Sequence, residues 1–346
     1  MPAYREIPYV MMGLGNIGRN LLDIYAHRQA QVAQRYGLRF VLVGAADSQG
    51  AALDPNGLDP AAVRDLKLAR RSVSAYPGAG RRGMTALEML SSAQAELLVD
   101  ASPTNLQNGE PGLTCTRTAL GAGVHVVAAN KGPLVLAYDE LTALSRTVGA
   151  RLLYSGTVAG GLPTVNIGVR DLAGSGVLRV EGIFNGTTNY ILTRMEKEQI
   201  SYAEALRGAQ EAGIAEADPT LDVDGWDAAN KLVIIANSVL GRPTRLCDVA
   251  VEGIRQVTLA DLQRARAAGQ VLKLLAVADQ QGDDYALSVR VTALEGAHPL
   301  AHIGKWDMAV VYYTDYMGKI TAIIEEKGPV PTSAAVLRDM ISIFAA

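Results

Sequence analysis

Apolar and polar positions follow two different rhythms along the chain. Before residue 150, short unbroken apolar runs at 7–12, 38–46, 96–100 and 124–129 alternate with amphipathic stretches. Unbroken β-branched runs of this length suit strands buried on both faces of a parallel sheet. The stretches between them repeat apolar residues at helical spacing, as at Ile17, Leu21, Ile24 and Tyr25. Strands that alternate with helices predict a doubly wound parallel sheet, an α/β domain over residues 1–154.

The character changes after about residue 155, where Ser155 to Gly161 is rich in small residues. Runs at 177–183, 285–292, 309–313 and 320–324 predict strands of a second, mixed sheet, and so an α+β domain over 155–325. Ser201-Tyr-Ala-Glu204 is a capping box that opens a helix ending at Gly213. A second helix is expected over 227–240. A last one, over 333–343, belongs to a terminal segment, 326–346, that returns to the first domain.

A length of 346 residues fits two domains at about 150 residues each. Lys and Arg number 32 against 35 Asp and Glu, a net charge of -3. This balance offers no electrostatic footprint for nucleic acid and no polybasic membrane anchor. No apolar run approaches the roughly 20 residues of a membrane helix. The N-terminal stretch runs straight into a glycine motif without the layout of a signal peptide. Cys115 and Cys247 are the only cysteines, too few for a disulfide framework or a Cys-based zinc site. The expectation is a soluble, cytoplasmic, globular protein without nucleic-acid or membrane partners.

The first apolar run leads into Gly13-Leu-Gly15-Asn16-Ile17-Gly18 and then a helix. In this strand–turn–helix context G-x-G-x-x-G points to a Rossmann-type dinucleotide site. Gly13 permits the tight turn and Gly15 the approach of a pyrophosphate. Gly18 permits close packing of helix on strand, and the helix N-terminus supplies donors. The next strand ends at Asp47, a carboxylate placed to accept from an adenosine ribose, which favours NAD over NADP. Arg19, close by, pulls the other way. Ligands of such sheets sit beyond the carboxyl ends of strands. There lie Asp100-Ala-Ser102-Pro-Thr104-Asn105 and Asn130-Lys131-Gly-Pro133. Ser102, Thr104 and Lys131 therefore join the cofactor-binding candidates, with Lys131 at the nicotinamide end.

Glu216, Asp218, Asp222, Asp224 and Asp227 crowd together, and Lys231 follows. The stretch from Thr220 to Gly225 imitates half of a calcium loop. The closing position, however, is Lys231, where a bidentate Glu is required, so the calcium reading fails. Asp227 and Lys231 share one helix face at i and i+4. The helix continues as Leu-Val-Ile-Ile-Ala, which predicts a part-buried lysine beside a carboxylate, a pair suited to proton donation.

These motifs together resemble homoserine dehydrogenase. The glycine loop, Ala-Asp47-Ser and Ala-Asn130-Lys131-Gly-Pro-Leu all match that family. Its most specific signatures are Gly182-Ile-Phe-Asn-Gly186-Thr187-Thr-Asn-Tyr-Ile-Leu192 and Glu216-Ala-Asp-Pro-Thr-Leu-Asp222-Val-Asp-Gly-Trp-Asp227-Ala-Ala-Asn-Lys231. The resemblance covers nearly the whole chain, without the regulatory C-terminal domain of some members. It implies NAD(P)-dependent interconversion of L-homoserine and L-aspartate 4-semialdehyde, in threonine and methionine biosynthesis. Lys131 and Lys231 would be catalytic, with Asp227 orienting Lys231. Glu216 and Asp222 would hold the amino-acid substrate, with Gly186 and Thr187 lining its site. The second domain would be catalytic and would join a homodimer. The carbonyl oxygens of Ser155, Val158, Gly160 and Leu162 would bind a monovalent cation, Na+ or K+.

The chain departs from the family pattern in three places. Ser155 stands where Glu is usual, so a side chain that supported the cation loop is missing. Ile214 replaces a substrate-facing tyrosine. The C-terminal cofactor loop is reduced to a segment around Gly328. Two other readings compete. An aldehyde-oxidising dehydrogenase needs an activated thiolate, and neither cysteine has a histidine placed to activate it. A dinucleotide sensor with shifted substrate or lost catalysis would explain the degraded loop, but not the retention of both lysines and both acids. His298 and His302 fit a turn better than a metal site.

Overall fold

The structure, a computed structural model, describes residues 4–345. Two compact units make up the chain: one runs to Gly161 and resumes at Gly328, and the other is Leu162–Lys327.

The first unit begins with β1 (Arg5–Met12), α1 (Asn16–Tyr36), β2 (Leu38–Asp47), β3 (Gly50–Leu53), α2 (Pro60–Leu68) and β4 (Gly80–Arg82). It continues with α3 (Ala86–Ser92), β5 (Leu97–Asp100), α4 (Gly112–Gly121), β6 (His125–Ala128), α5 (Gly132–Val148) and β7 (Leu152–Leu153). The strand order is β4-β3-β2-β1-β5-β6-β7. From β2 to β7 all pairings are parallel. The four predicted runs are β1, β2, β5 and β6; β5 is buried throughout and the other three along most of their length, as unbroken apolar runs require. An antiparallel edge, β3 and β4, extends the sheet beyond β2 and was not legible in the pattern. The α5 segment is broken at Ala137 (φ -144°, ψ 34°), where two helices meet in a kink.

The second unit contains α6 (Thr164–Asn166), β8 (Val177–Ile183), α7 (Gly186–Glu198), α8 (Tyr202–Glu211), α9 (Thr220–Val223) and α10 (Trp226–Ser238). After these come β9 (Ala250–Val251), α11 (Leu259–Ala267), β10 (Gln270–Gln281), β11 (Asp284–Glu295), β12 (Asp307–Thr314) and β13 (Lys319–Glu325). Its mixed sheet runs β13-β12-β8-β10-β11-β9, parallel only between β11 and β9. The Ser201–Glu204 capping box forms in both directions at the start of α8. No expectation covered β10, yet this strand pairs with both β8 and β11 and lies inside the sheet.

The last helix, α12 (Val330–Phe344), belongs to the first unit. Val336, Leu337, Met340 and Ile343 enter the core formed by β1, β2 and α1. Each such side chain contributes about 1.5–3 kcal/mol on burial. Ser333 Oγ donates to the Ile17 carbonyl (2.9 Å), and Arg151 donates to the carbonyls of Ser342 and Ile343. Among the described residues no helix is long and apolar enough to cross a membrane.

Candidate active site

The glycine loop shows three different needs for a missing side chain. Gly13 lies at φ +86°, and a Cβ there would meet the backbone of Ala101 and Ser102 at 2.3 Å. A Cβ on Gly18 would meet the Gly13 carbonyl at 2.3 Å. Gly15 is different: its Cβ direction opens into space free of protein atoms for 4 Å. The first two glycines are required by the protein itself, whereas the third leaves room for something outside it. Gly15 also caps α1 without any side-chain acceptor, and the first turn holds no acid. The leading N–H groups of Asn16, Ile17 and Gly18 therefore face outward with the positive end of a 21-residue helix, the setting in which a pyrophosphate binds. These residues fit a dinucleotide.

Asp47, at the end of β2, is surrounded by donors from its own chain. Oδ1 accepts from Gln49 N (2.9 Å) and Ser72 Oγ (2.9 Å), and Oδ2 from Lys67 Nζ (2.7 Å) and Val73 N (2.9 Å). Burial opposes its ionisation, but Lys67 and these hydrogen bonds outweigh it and hold the carboxyl below its usual range. A carboxylate has about four acceptor positions, and four donors meet this one. Lys67, by contrast, has given one of its three hydrogens to it.

At the ends of β5 and β6 a second network fixes the turn that carries Lys131. Asp100 is wholly buried, and its Oδ1 accepts from Ser102 N (2.9 Å) and Ser102 Oγ (2.6 Å). Its Oδ2 accepts from Asn130 Nδ2 (3.1 Å), and Asn130 Oδ1 in turn accepts from Gly132 N (2.9 Å). Burial raises the Asp100 pKa, and the Ser102 and Asn130 bonds partly offset it. Lys131 thus occupies the N-cap of α5, half-buried, with its carbonyl receiving Leu134 N and Val135 N. Thr104 is exposed on the β5 loop, and Gly328 is exposed ahead of α12 at φ +76°.

The acidic stretch and the Gly182–Leu192 motif come together in the second unit. Lys231 is 9% exposed. Its Nζ donates to the Phe184 carbonyl (2.5 Å) and to Asp227 Oδ2 (2.7 Å). Asn185 caps α7, its Oδ1 accepting from Thr188 N (2.9 Å). Its Nδ2 bridges Asp222 Oδ1 (2.7 Å) and Asp227 Oδ2 (2.9 Å). Burial raises the Asp222 pKa, and the Asp227 charge raises it further, while Asn185, Lys231 and Thr187 work in the opposite direction. Thr187 Oγ1 also donates to the Ile214 carbonyl (3.3 Å), tying the loop before Glu216 to α7. Glu216 itself is exposed, and no atom lies within 4 Å of the Cβ direction of Gly186. Asn185 was absent from the expected site, as were Asp100 and Asn130.

Of the expected cation ligands, Ser155, Val158 and Gly160 lie in the first unit and Leu162 opens the second. Ser155, Val158 and Ala159 are buried. Ala159 (φ 55°) and Gly160 (φ 59°) form two successive left-handed residues. Among the described hydrogen bonds, none is accepted by the Val158 or Gly160 carbonyl. Neutral carbonyl oxygens without an internal donor, those of Val158 and Gly160, fit a hard cation of low charge, while that of Leu162 already accepts from Thr164 N (2.8 Å). Ser155 itself is held by another element. Asp339 of α12 accepts from Ser155 N (2.8 Å) and Ser155 Oγ (2.7 Å).

The competing chemistry finds no support. Burial pushes the Cys115 thiol up to about 12, with the Asp100 and Glu110 charges adding to it, so Cys115 is not a nucleophile. His298 Nδ1 accepts from Leu300 N (3.1 Å) in a turn, and Nε2 lies 2.9 Å from Glu181 Oε2. Among the described residues no group of three or more His, Cys, Asp or Glu is arranged to hold a metal ion.

The family model described as homoserine dehydrogenase matches residues 145–341. A homoserine dehydrogenase of Methanocaldococcus jannaschii is 36% identical over 335 residues, 97% of this chain and 98% of that protein. An NAD(+)-dependent homoserine dehydrogenase of Pseudomonas canavaninivorans is 35% identical over 340 residues, 98% of this chain and 96% of that one. Among solved structures, a hyperthermophilic archaeal homoserine dehydrogenase in complex with NADPH superposes with a TM-score of 0.85 at 25% identity, covering 98% of each chain. With the fold, the glycine loop and both motifs in agreement, the chain belongs to the homoserine dehydrogenase family, NAD(P)-dependent oxidoreductases that interconvert L-homoserine and L-aspartate 4-semialdehyde.

Proposed function

We propose that Lys231 is the group that meets the reacting oxygen of the substrate. The observation that carries this reading is its hydrogen-bond inventory. Two of the three ammonium hydrogens are taken by the Phe184 carbonyl and by Asp227, and the third remains for a ligand. Asp227 fixes its direction. In the oxidative direction the homoserine hydroxyl loses its proton as its carbon loses hydride. In the reductive direction the aldehyde oxygen becomes an alkoxide and needs a cation and then a proton. In the reductive direction the Lys231 ammonium supplies the cation and then the proton and is left as the neutral amine; in the oxidative direction that neutral amine takes the hydroxyl proton and becomes the ammonium. Lys131, held at the N-cap of α5, is the second catalytic lysine by resemblance.

Asp222 and Glu216 receive the substrate ammonium, with Thr187 and Gly186 beside them. Asp222 suits this role because Asn185 holds it in place beside a second carboxylate, Asp227. When bound, the nicotinamide supplies hydride exchange at its C4. Gly13, Gly15, Asn16, Ile17 and Gly18 hold the pyrophosphate, with Ser102, Thr104 and Gly328 on the remaining length of the cofactor.

The cofactor is NAD or NADP. Asp47 alone favours NAD, but its four donors reduce its power to exclude a 2′-phosphate, and Lys67 offers that phosphate a cation. A monovalent cation, Na+ or K+, sits on the carbonyl oxygens of Ser155, Val158, Gly160 and Leu162 and braces this segment. The enzyme works as a homodimer, a reading that the exposed apolar residues Ile323 and Leu178 of the second sheet support.

The deciding experiment is homoserine-dependent formation of NADH or NADPH at alkaline pH, followed by absorbance. Turnover in the purified protein, lost in Lys231→Ala, is the expected result. Turnover close to wild type in that variant would overturn the role given to Lys231.

A further inference from the structure

The segment from Ser155 to Gly160 is fixed from one side by the C-terminal helix. Ser155 is 1% exposed and Asp339 2% exposed. Both hydrogens that Ser155 can donate, on N and on Oγ, go to the two oxygens of the same carboxylate, at 2.8 and 2.7 Å. Arg338 Nη2 then donates to Ser155 Oγ at 2.8 Å. The polar atom of Ser155 that α12 leaves alone is its carbonyl oxygen. Gly156 follows beneath α12, its Cβ direction facing Val336 and the Thr332 carbonyl at the ordinary contact distance of 3.5–3.6 Å. Thr157 closes the turn on itself, N and Oγ1 both donating to the Tyr154 carbonyl. A non-glycine residue at φ 55°, Ala159, is an unfavourable conformation that persists only where surrounding contacts impose it.

We propose that Asp339 is the positioning residue of the cation loop, holding Ser155 by both its donors so that its carbonyl is presented to a monovalent cation. The proposal rests on the cation reading given above. A buried carboxylate that takes two hydrogen bonds from one residue fixes both the peptide and the side chain of that residue, so the carbonyl has no freedom to turn away. The link joins residues 184 positions apart, so the loop acquires its shape only when α12 has docked.

The test is thermal unfolding of the full-length protein without substrate. NaCl or KCl is titrated against N-methylglucamine chloride at constant ionic strength, for the wild type, Asp339→Asn and Ser155→Ala. The expected result is a cation-specific rise of Tm in the wild type, with its half-saturating concentration increased at least tenfold in Asp339→Asn and several-fold in Ser155→Ala. A wild-type response with unchanged midpoints in both variants would overturn the role of Asp339 and leave the cation site standing. No cation-specific response in the wild type would overturn the cation site and this proposal with it. If Asp339→Asn does not fold, Ser155→Ala decides: it deletes only a hydroxyl, and an unchanged midpoint there rejects the proposal.

Discussion

Asp227 and Lys231 face each other one turn apart on α10, their charged atoms 2.7 Å apart and their side chains only 15% and 11% exposed. An exposed pair at this spacing is worth about 0.3–0.5 kcal/mol. A pair withdrawn from water behaves differently, because removal of one partner strands the other. Lys231→Ala is therefore expected to lower kcat by about 10²–10⁴-fold with circular dichroism unchanged. Asp227→Asn should fall in the same direction by a smaller factor, since it leaves the ammonium in place but without its guide. Steady-state kinetics on both variants check this ordering.

Asp222 sets a pH dependence. Its carboxyl titrates above the ordinary aspartate range because burial and the Asp227 charge oppose ionisation. The substrate ammonium needs the ionised form, so kcat/KM for homoserine should fall as pH drops through this raised pKa. The neutral carboxyl that then forms binds the ammonium poorly. In Asp222→Asn the acidic limb should vanish and KM for homoserine should rise at every pH. An acidic limb that persists unchanged in the variant would assign it to another group.

Asn185 has two duties that substitution can separate. Its Oδ1 caps α7 and its Nδ2 bridges Asp222 and Asp227. Asn185→Ala removes both, and the lost cap alone costs about 1–2 kcal/mol. Asn185→Ser keeps an N-cap acceptor but is too short to bridge the carboxylates. Its unfolding free energy should return toward wild type, while KM for homoserine stays elevated as in the alanine variant. Denaturant unfolding and initial-rate kinetics on the two variants provide the comparison.

Lys67 controls the choice between the two dinucleotides. From the last turn of α2 it reaches Asp47 at the end of β2, 2.7 Å away. Lys67→Met removes the cation and leaves Asp47 more strongly anionic toward a ligand. The ratio of kcat/KM for NADP to that for NAD should fall about tenfold, equivalent to about 1.4 kcal/mol. An unchanged ratio would place the discriminating contact elsewhere, with Arg19 as the next residue to vary.

The sequence carried the parts of this molecule that local pattern encodes. Unbroken strand runs, the glycine loop and the Ser201 capping box were legible because each rests on neighbours within a few residues. β10 was not, because Val-Leu-Lys-Leu-Leu-Ala-Val-Ala lacks alternation and is rich in residues that also favour helices. The antiparallel edge of the first sheet was hidden by strands of three and four residues. At the site, Lys231 and Asp227 were visible as helix neighbours. Asn185 was not, since it reaches acids 37 and 42 positions away. Asp47 was placed correctly at a strand end, but the donors that occupy it lie up to 26 residues downstream, and spacing gives no sign of them. Asp339 and Ser155 are farther apart still.

The return of α12 to the first unit orders events during synthesis. Leu162–Lys327 is one uninterrupted stretch and can close as soon as it has left the ribosome. The first unit, though most of it is made earlier, waits for Val336, Leu337, Met340 and Ile343 to fill its core. Until those last side chains arrive, the nascent first half lacks part of its core and leaves an apolar seam open to water.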